Sequence, residues 1–239
     1  MPVSVDIYVP CFNEERIIPY LHKWYAHRLP GASFHIFDNE SSDNTVAAAL
    51  DLGCTVTTFS TSGQYDEGSL RDLRNSAWKT STAEYVIVCD ADEFLEVDEV
   101  LLGNQKPVLV KGIGYNMFGD GTQSLDQIDR GLRNTWYDKW LCFRPDSIID
   151  MRLSEGSHTA QPEYRQSSMA ENFVERPLYH YRAFDVDDLV AKFRRNAERM
   201  SAINRERNWG THYLTQEPEL REKYRRSLLE AEIINPQWY

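Results

Sequence analysis

Val3, Val5, Ile7 and Val9 alternate with polar residues, the period of a half-buried strand. Pro10 has no N–H to give a ladder and is expected to end that strand. A polar loop, Cys11-Phe12-Asn13-Glu14-Glu15, follows. Ile17, Ile18, Leu21, Trp24, Tyr25 and Leu29 then recur at helical spacing as far as Pro30-Gly31, with Pro19 marking the start of the regular helix or a kink. Phe34 to Phe37 reads as a second strand. It runs into Asp38-Asn39-Glu40-Ser41-Ser42-Asp43, turn and capping residues that open a helix from Val46 to Leu50, ended by Gly53. Cys54 to Phe59 is a third strand. Ser69 and Asp72 suggest a capping box for a helix carrying Leu70, Leu73, Ala77 and Trp78. Tyr85 to Cys89 is an unbroken apolar run, short enough for a buried central strand.

Strands and helices alternating over the first 90 residues predict an α/β fold built on a parallel sheet. Ligands then belong at the carboxyl ends of the strands, where Asn13 and Glu14, Asp38 and Asn39, and Asp90 and Asp92 fall. From Val108 onward the pattern loosens into short strand candidates at 108–110, 115–118 and 136–143, so the sheet is expected to become mixed. Leu178 to Tyr181 is a last strand. A helix capped near Asp185 carries Leu189, Phe193, Ala197, Met200 and Ile203 on one side, and a second is expected from Pro218 to Ile233. The organisation predicted is one domain over residues 1–184 and a helical extension, 185–239, packed on it.

Composition narrows the function. With 41% hydrophobic residues the 239-residue chain can close a core, and no apolar stretch is long enough to span a bilayer. The N-terminus lacks the regions of a signal peptide, so a cytoplasmic protein is expected. The net charge of −11 disfavours nucleic acid as a partner, and an anionic substrate needs a local cationic surface or a metal. Cys11, Cys54, Cys89 and Cys142 are too dispersed for a zinc site and read as buried thiols.

Residues 84–99 hold seven acidic side chains and no basic one. Asp90 and Asp92 stand where the apolar strand emerges, and two carboxylates one residue apart there suit a hard divalent cation that keeps coordination sites open for substrate phosphates. Arg71, Arg74 and Lys79 precede them as candidate phosphate contacts, with ordinary surface cations as the plain alternative.

Three motifs carry a family likeness. Val9-Pro10-Cys11-Phe12-Asn13-Glu14-Glu15, Ile36-Phe37-Asp38-Asn39-Glu40-Ser41-Ser42-Asp43 and Val88-Cys89-Asp90-Ala91-Asp92-Glu93-Phe94 resemble, in order and spacing, those of family-2-like glycosyltransferases of the GT-A fold, the last in a DxDEF form. Weaker similarity continues through His180-Tyr181-Arg182. The resemblance implies a GT-A-like, Rossmann-type mixed sheet flanked by helices. It implies a nucleotide pocket lined by Pro10, Phe12, Asn13 and Glu14, with Asp38 accepting from a uracil imide and Arg71 or Arg74 near the diphosphate. Asp90 would approach the ribose or the metal. Mn2+ or Mg2+ would be ligated by Asp92 and by a later histidine, His180 in preference to His158.

The reaction implied is transfer of a sugar from a nucleotide-diphosphate sugar, UDP-sugar favoured, to a glycan or other hydroxyl acceptor. Inversion at the anomeric carbon would require a base, for which Asp120, Asp126, Asp129, Asp150 and Glu155 are candidates and Glu155 is preferred. Trp136, Tyr137 and Trp140 are candidate sugar-stacking residues, although a strand tryptophan more often serves a core. Residues 192–207, with six basic and two acidic side chains, read first as a packed helix with a solvated basic face, and otherwise as a cover for the diphosphate or a docking face for a membrane or acidic partner. A catalytically silent sugar-nucleotide-binding module is the alternative from another class. A DxD phosphatase fits less well, because Glu93 and Phe94 follow the motif, and oligomeric state is left open.

Overall fold

The computed structural model describes residues 2–238. Its first half alternates as the periodicity predicts: β1 (Val5–Cys11), α1 (Ile18–Arg28), β2 (Ala32–Asp38), α2 (Thr45–Asp51), β3 (Thr55–Thr58), α3 (Glu67–Ser76) and β4 (Tyr85–Val88). These strands pair in parallel in the order β4-β1-β2-β3. Pro10 does not end β1, which continues to Cys11 opposite Asp38. It shares the orientation of Tyr8, whose carbonyl accepts the last bond from the β4 side, the amide of Cys89 at 3.2 Å. Its missing N–H therefore faces a gap where β4 has already turned away, and no ladder bond is lost. That gap is the floor of a cleft.

The chain then turns through β5 (Glu93–Leu95) and α4 (Glu99–Gln105) into β6 (Leu109–Met117), β7 (Arg130–Arg133), β8 (Lys139–Phe143), β9 (Ile148–Asp150), β10 (Glu163–Tyr164) and β11 (Phe173–His180). β8 runs antiparallel between β4 and β6, and β11 runs parallel to β6 while pairing antiparallel with β5. The result is a ten-stranded mixed sheet flanked by helices, with β9 and β10 as a separate pair. The two short strands expected at 108–110 and 115–118 are one, β6. Its Gly112 and Gly114 interrupt the apolar pattern because a Cβ at either would lie within 2.8 Å of Leu178 or Tyr137. The strand expected from Trp136 begins at Lys139, since Asn134 accepts from the amide of Trp136 at 3.0 Å and holds residues 135–137 in a 3-10 turn.

At the C-terminus α5 (Val186–Arg199), α6 (Ala202–Arg207), α7 (Glu217–Glu230) and β12 (Glu232–Ile233) follow. The apolar stripe from Leu189 does not extend to Ile203, which is 53% exposed. The loop before α3 interrupts it: the Tyr65 amide donates to Arg199 O at 2.7 Å and Tyr65 O accepts from the Ser201 amide at 3.1 Å. Ser201 then caps α6. α3 likewise starts earlier than predicted, with Asp66 as its cap, accepting from the Ser69 amide at 2.7 Å. The last helix stops at Glu230, so that Glu232 and Ile233 can pair with β7.

All four cysteines are free and buried. No helix among the described residues is long and apolar enough to cross a membrane. The main core joins both ends of the chain: Trp238 packs edge-on to Trp24 at 4.9 Å between ring centres and donates through Nε1 to the hydroxyl of Tyr181 at 3.3 Å. Trp24 donates to Leu95 O at 2.9 Å, and the Tyr25 hydroxyl accepts from the Leu95 amide at 2.9 Å, so α1 satisfies an edge of β5. Trp238→Ala should therefore cost about 3–5 kcal/mol, read as a lower urea midpoint at unchanged slope. A loss under about 1 kcal/mol would mean that the tail lies outside the core.

Candidate active site

A cleft opens at the carboxyl ends of β1 and β4, covered by α5 and bordered by α3, with a cavity volume of about 140 Å³. Pro10, Phe12, Glu14, Arg74, Asp90, Asp92 and His180 all line it. Tyr137 and His158 line it too, and the other sequence candidates lie around it. Asn13, with φ of 55°, donates its amide to Ser41 Oγ at 2.9 Å and accepts from the Ser42 amide at 2.7 Å, pinning the first loop to the second. Asp38 is buried, and its carboxylate accepts from the Ser41 amide at 3.1 Å, while its neighbour Asn39 reaches the cleft. Arg71 pairs with Glu155 at 2.7 Å and with Asp72 at 2.7 Å. Glu155 is outside the lining, but the adjoining Gly156 is in it. Asp150, held by Lys79 at 2.9 Å, and Asp120, Asp126 and Asp129 are not in the lining.

The Asp-Ala-Asp-Glu corner is a tight turn in which the Asp90 amide donates to Glu93 Oε2 at 3.1 Å and the Glu93 amide to Asp90 O at 3.1 Å. Glu93 points into the interior and forms a buried ion pair with Lys139 of β8, each being 1% exposed. Burial pushes the Glu93 carboxyl up to about 7, against the pull of Lys139. Asp90 faces Arg74 at 2.6 Å and Lys139 at 3.6 Å. Burial opposes ionisation of Asp90, yet these two cations outweigh it and lower its pKa. Asp92 meets Lys192 at 2.7 Å and His180 Nε2 at 3.4 Å, and Lys192 also faces Glu14 at 3.4 Å. Lys192 and His180 overcome the burial of Asp92 and hold its carboxyl well below the usual range.

The donor set bears on a metal. His180 Nδ1 lies 2.9 Å from Asn116 Oδ1 and Nε2 lies 3.4 Å from Asp92 Oδ2, so the ring is fixed between two oxygens with Nε2 turned to the aspartate. Burial lowers the pKa of His180 to about 4, which keeps it neutral. A carboxylate oxygen and an imidazole nitrogen thus converge, a pair that fits Mn2+ or Mg2+ completed by substrate phosphates. Asp90 is directed to Arg74 and Lys139, and among the described residues no three His, Cys, Asp or Glu side chains are already grouped for a metal. Tyr137 stacks on His180 at 3.9 Å, and Trp136 lies tilted against His158 at 4.6 Å, with His158 Nδ1 facing Trp136 O at 2.8 Å. Trp140 packs on Phe173.

Several residues here escape a reading of the sequence alone. Lys192, Arg195 and Arg199 stand on successive turns of α5 and all line the cleft. Arg199 lies 3.1 Å above the Phe12 ring and donates to Asn39 Oδ1 at 2.7 Å. Burial lowers its pKa to about 10. The i, i+3, i+7 spacing was the available signal for a single face, but it was hidden by the other basic residues of the run. The lining carries five basic side chains, Arg74, Lys139, Lys192, Arg195 and Arg199, against four acidic ones, Glu14, Glu67, Asp90 and Asp92. A locally cationic surface therefore exists within a chain of net charge −11.

No known protein-family profile matches the chain. A 53-residue stretch is 36% identical to Protein RfbJ of Shigella flexneri, covering 22% of this chain and 41% of RfbJ. Among solved structures, S. aureus TarS aligns over 82% of this chain and 39% of TarS, at 15% identity and a TM-score of 0.47. The UDP-GlcNAc complex of TarS 1-349 aligns over 95% of this chain and 73% of that one, at 11% identity and a TM-score of 0.46. Glucosyl-3-phosphoglycerate synthase from Mycobacterium tuberculosis, solved with Mn2+, UDP and glucosyl-3-phosphoglycerate, aligns over 47% of this chain and 44% of that one, at 17% identity and a TM-score of 0.34. The matched stretch thus covers less than half of RfbJ, and the chain aligns with less than half of TarS.

The buried ion pair supplies a test of the geometry. Lys139→Met leaves Glu93 and Asp90 short of a cation and should destabilise the fold by about 3–5 kcal/mol, and adding Glu93→Gln should restore much of the loss. Equal unfolding midpoints for wild type and Lys139→Met would show these groups to be solvated.

Proposed function

We propose that the chain is a glycosyltransferase that moves a sugar from a nucleotide-diphosphate sugar, a UDP-sugar in the first instance, to an acceptor hydroxyl. One observation carries the reading. Arg74 is 5% exposed and lines the cleft; its Nη2 pairs with Asp90 at 2.6 Å and its Nη1 faces Glu67 at 3.7 Å, yet among the described residues Nε and Nη1 have no acceptor within hydrogen-bond distance. Buried guanidinium donors are costly to leave unpaired, and a diphosphate is the acceptor whose geometry they match. Arg195 and Arg199 face the same space from α5. The three sequence motifs meet at this cleft, and UDP is the nucleotide with which TarS 1-349 and the mycobacterial synthase have been crystallised.

In this reading residues 1–184 bind the donor and 185–239 close over it. Phe12 and Asn39 border the base, with Asp38 holding the second loop in place from behind. A divalent ion, when bound, would be held by Asp92 and His180 and would neutralise charge on the departing diphosphate. Asp90 is kept ionised and fixed by Arg74 and Lys139, which suits it to the ribose. Glu155, oriented by Arg71, takes the proton of the acceptor hydroxyl in an inverting transfer. The present cavity of about 140 Å³ is below the roughly 300–1,000 Å³ of a ligand site. The cleft therefore has to widen as the donor enters.

A thermal-shift screen of nucleotide sugars with and without manganese tests the donor, since a ligand of the native state raises apparent stability. UDP-sugars should raise Tm more than GDP-sugars, and the reverse would remove uracil from the proposal. Glu155→Gln should lower kcat by about 10²–10⁴ with donor KM unchanged. Activity within a few-fold of wild type would transfer the role to another carboxylate, Glu67 being the unassigned one in the lining. Nucleotide binding without release of nucleoside diphosphate across varied acceptors would favour a silent binding module.

A further inference from the structure

Lys192 occupies the Asp92 oxygen that faces His180, where the carboxylate and the imidazole converge. Its ammonium lies 2.7 Å from Asp92 Oδ2, and the same oxygen is 3.4 Å from His180 Nε2. Its second partner, Glu14 Oε1 at 3.4 Å, belongs to the opening loop of the nucleotide pocket. An ammonium has three N–H donors, and these two acceptors account for two of them on a side chain that lines the cleft. Lys192 is also the member of the α5 basic face that bonds to the Asp-Ala-Asp-Glu corner. Arg195 instead meets Glu14 at 3.7 Å, and Arg199 meets Phe12 and Asn39.

A divalent cation and an ammonium on one oxygen would stand within a few ångströms of each other, a repulsion that is screened weakly between side chains as buried as these. Occupancy of Oδ2 is therefore exclusive. The geometry points to Lys192 as an exchangeable cation: it neutralises Asp92 while the cleft is free of donor, yields that oxygen to a divalent ion, and turns its charge to the diphosphate. The role toward diphosphate rests on the donor reading above, whereas the exchange at Asp92 does not. Lysine suits such a task better than arginine, because its charge is compact and sits on a flexible four-carbon stem, while a guanidinium is fitted to fixed, forked pairing.

The exchange predicts opposite effects of one substitution. Lys192→Met should bind Mn2+ alone about ten-fold more tightly than wild type, followed by electron paramagnetic resonance of the free ion, because the competing ammonium is gone. At saturating Mn2+ the same variant should bind UDP about ten-fold more weakly by calorimetry. Lys192→Arg, which keeps the charge, should retain more UDP affinity than Lys192→Met, and near-ultraviolet circular dichroism should show each variant folded. Manganese affinity that is unchanged or reduced in folded Lys192→Met overturns the exchange. UDP affinity equal to wild type overturns the diphosphate role alone. Failure of wild type to bind UDP under any condition overturns the donor reading and that second role together, while the manganese titration still decides the first.

Discussion

Three carboxylates within four residues, Asp90, Asp92 and Glu93, are buried to different degrees at one strand end, and the architecture around them follows from matching their charge. Isolated carboxylates there would be neutralised or would unfold the corner. Each instead meets a cation delivered from a distant part of the chain: Arg74 from α3, Lys139 from β8 and Lys192 from α5. The antiparallel insertion of β8 beside β4 is what brings Lys139 under the corner. The placement of α5 directly after β11 brings Lys192 and His180 to the same oxygen of Asp92.

The cleft depends equally on where the sheet is left incomplete. β1 pairs with β4 only over Val5–Tyr8, although it follows β2 as far as Cys11. Beyond that point the two central strands diverge, and Pro10 sits at the divergence with no donor to be orphaned. Polar side chains gather there because a gap between parallel strand ends leaves backbone and side-chain groups unpaired and open to a ligand. The loop after β1 is held by the loop after β2 through Asn13, Ser41 and Ser42, so the wall of the gap is braced before anything binds.

The C-terminal elements serve both core and cleft. Trp238 closes the main apolar cluster among Trp24, Phe94 and Tyr181, while α5 presents its apolar residues to Phe118 and α7 and its basic ones to the cleft. One helix thereby couples the stability of the fold to the charge of the site. A segment with this double duty shows little in a linear count of charges, since the same arginines and lysines would suit a solvated face.

What the sequence determined by itself was local and periodic. The alternation of Val3 to Val9, the helical recurrence from Ile17 to Leu29 and the apolar run Tyr85 to Cys89 established an α/β sheet and located its carboxyl ends. The three polar motifs at those ends marked Pro10, Phe12, Glu14, Asp90 and Asp92, all of which line the cleft. Tertiary structure alone decided which charges meet. That Asp90 turns to Arg74 and Lys139, that Arg71 serves Glu155, that Asp38 faces its own turn, and that Lys192 rather than a surface partner reaches Asp92 depend on contacts between residues up to 100 positions apart. Hydrophobic period is a property of neighbours along the chain and survives in one dimension. Ion pairing is a property of distance and burial, and neither exists until the sheet has closed.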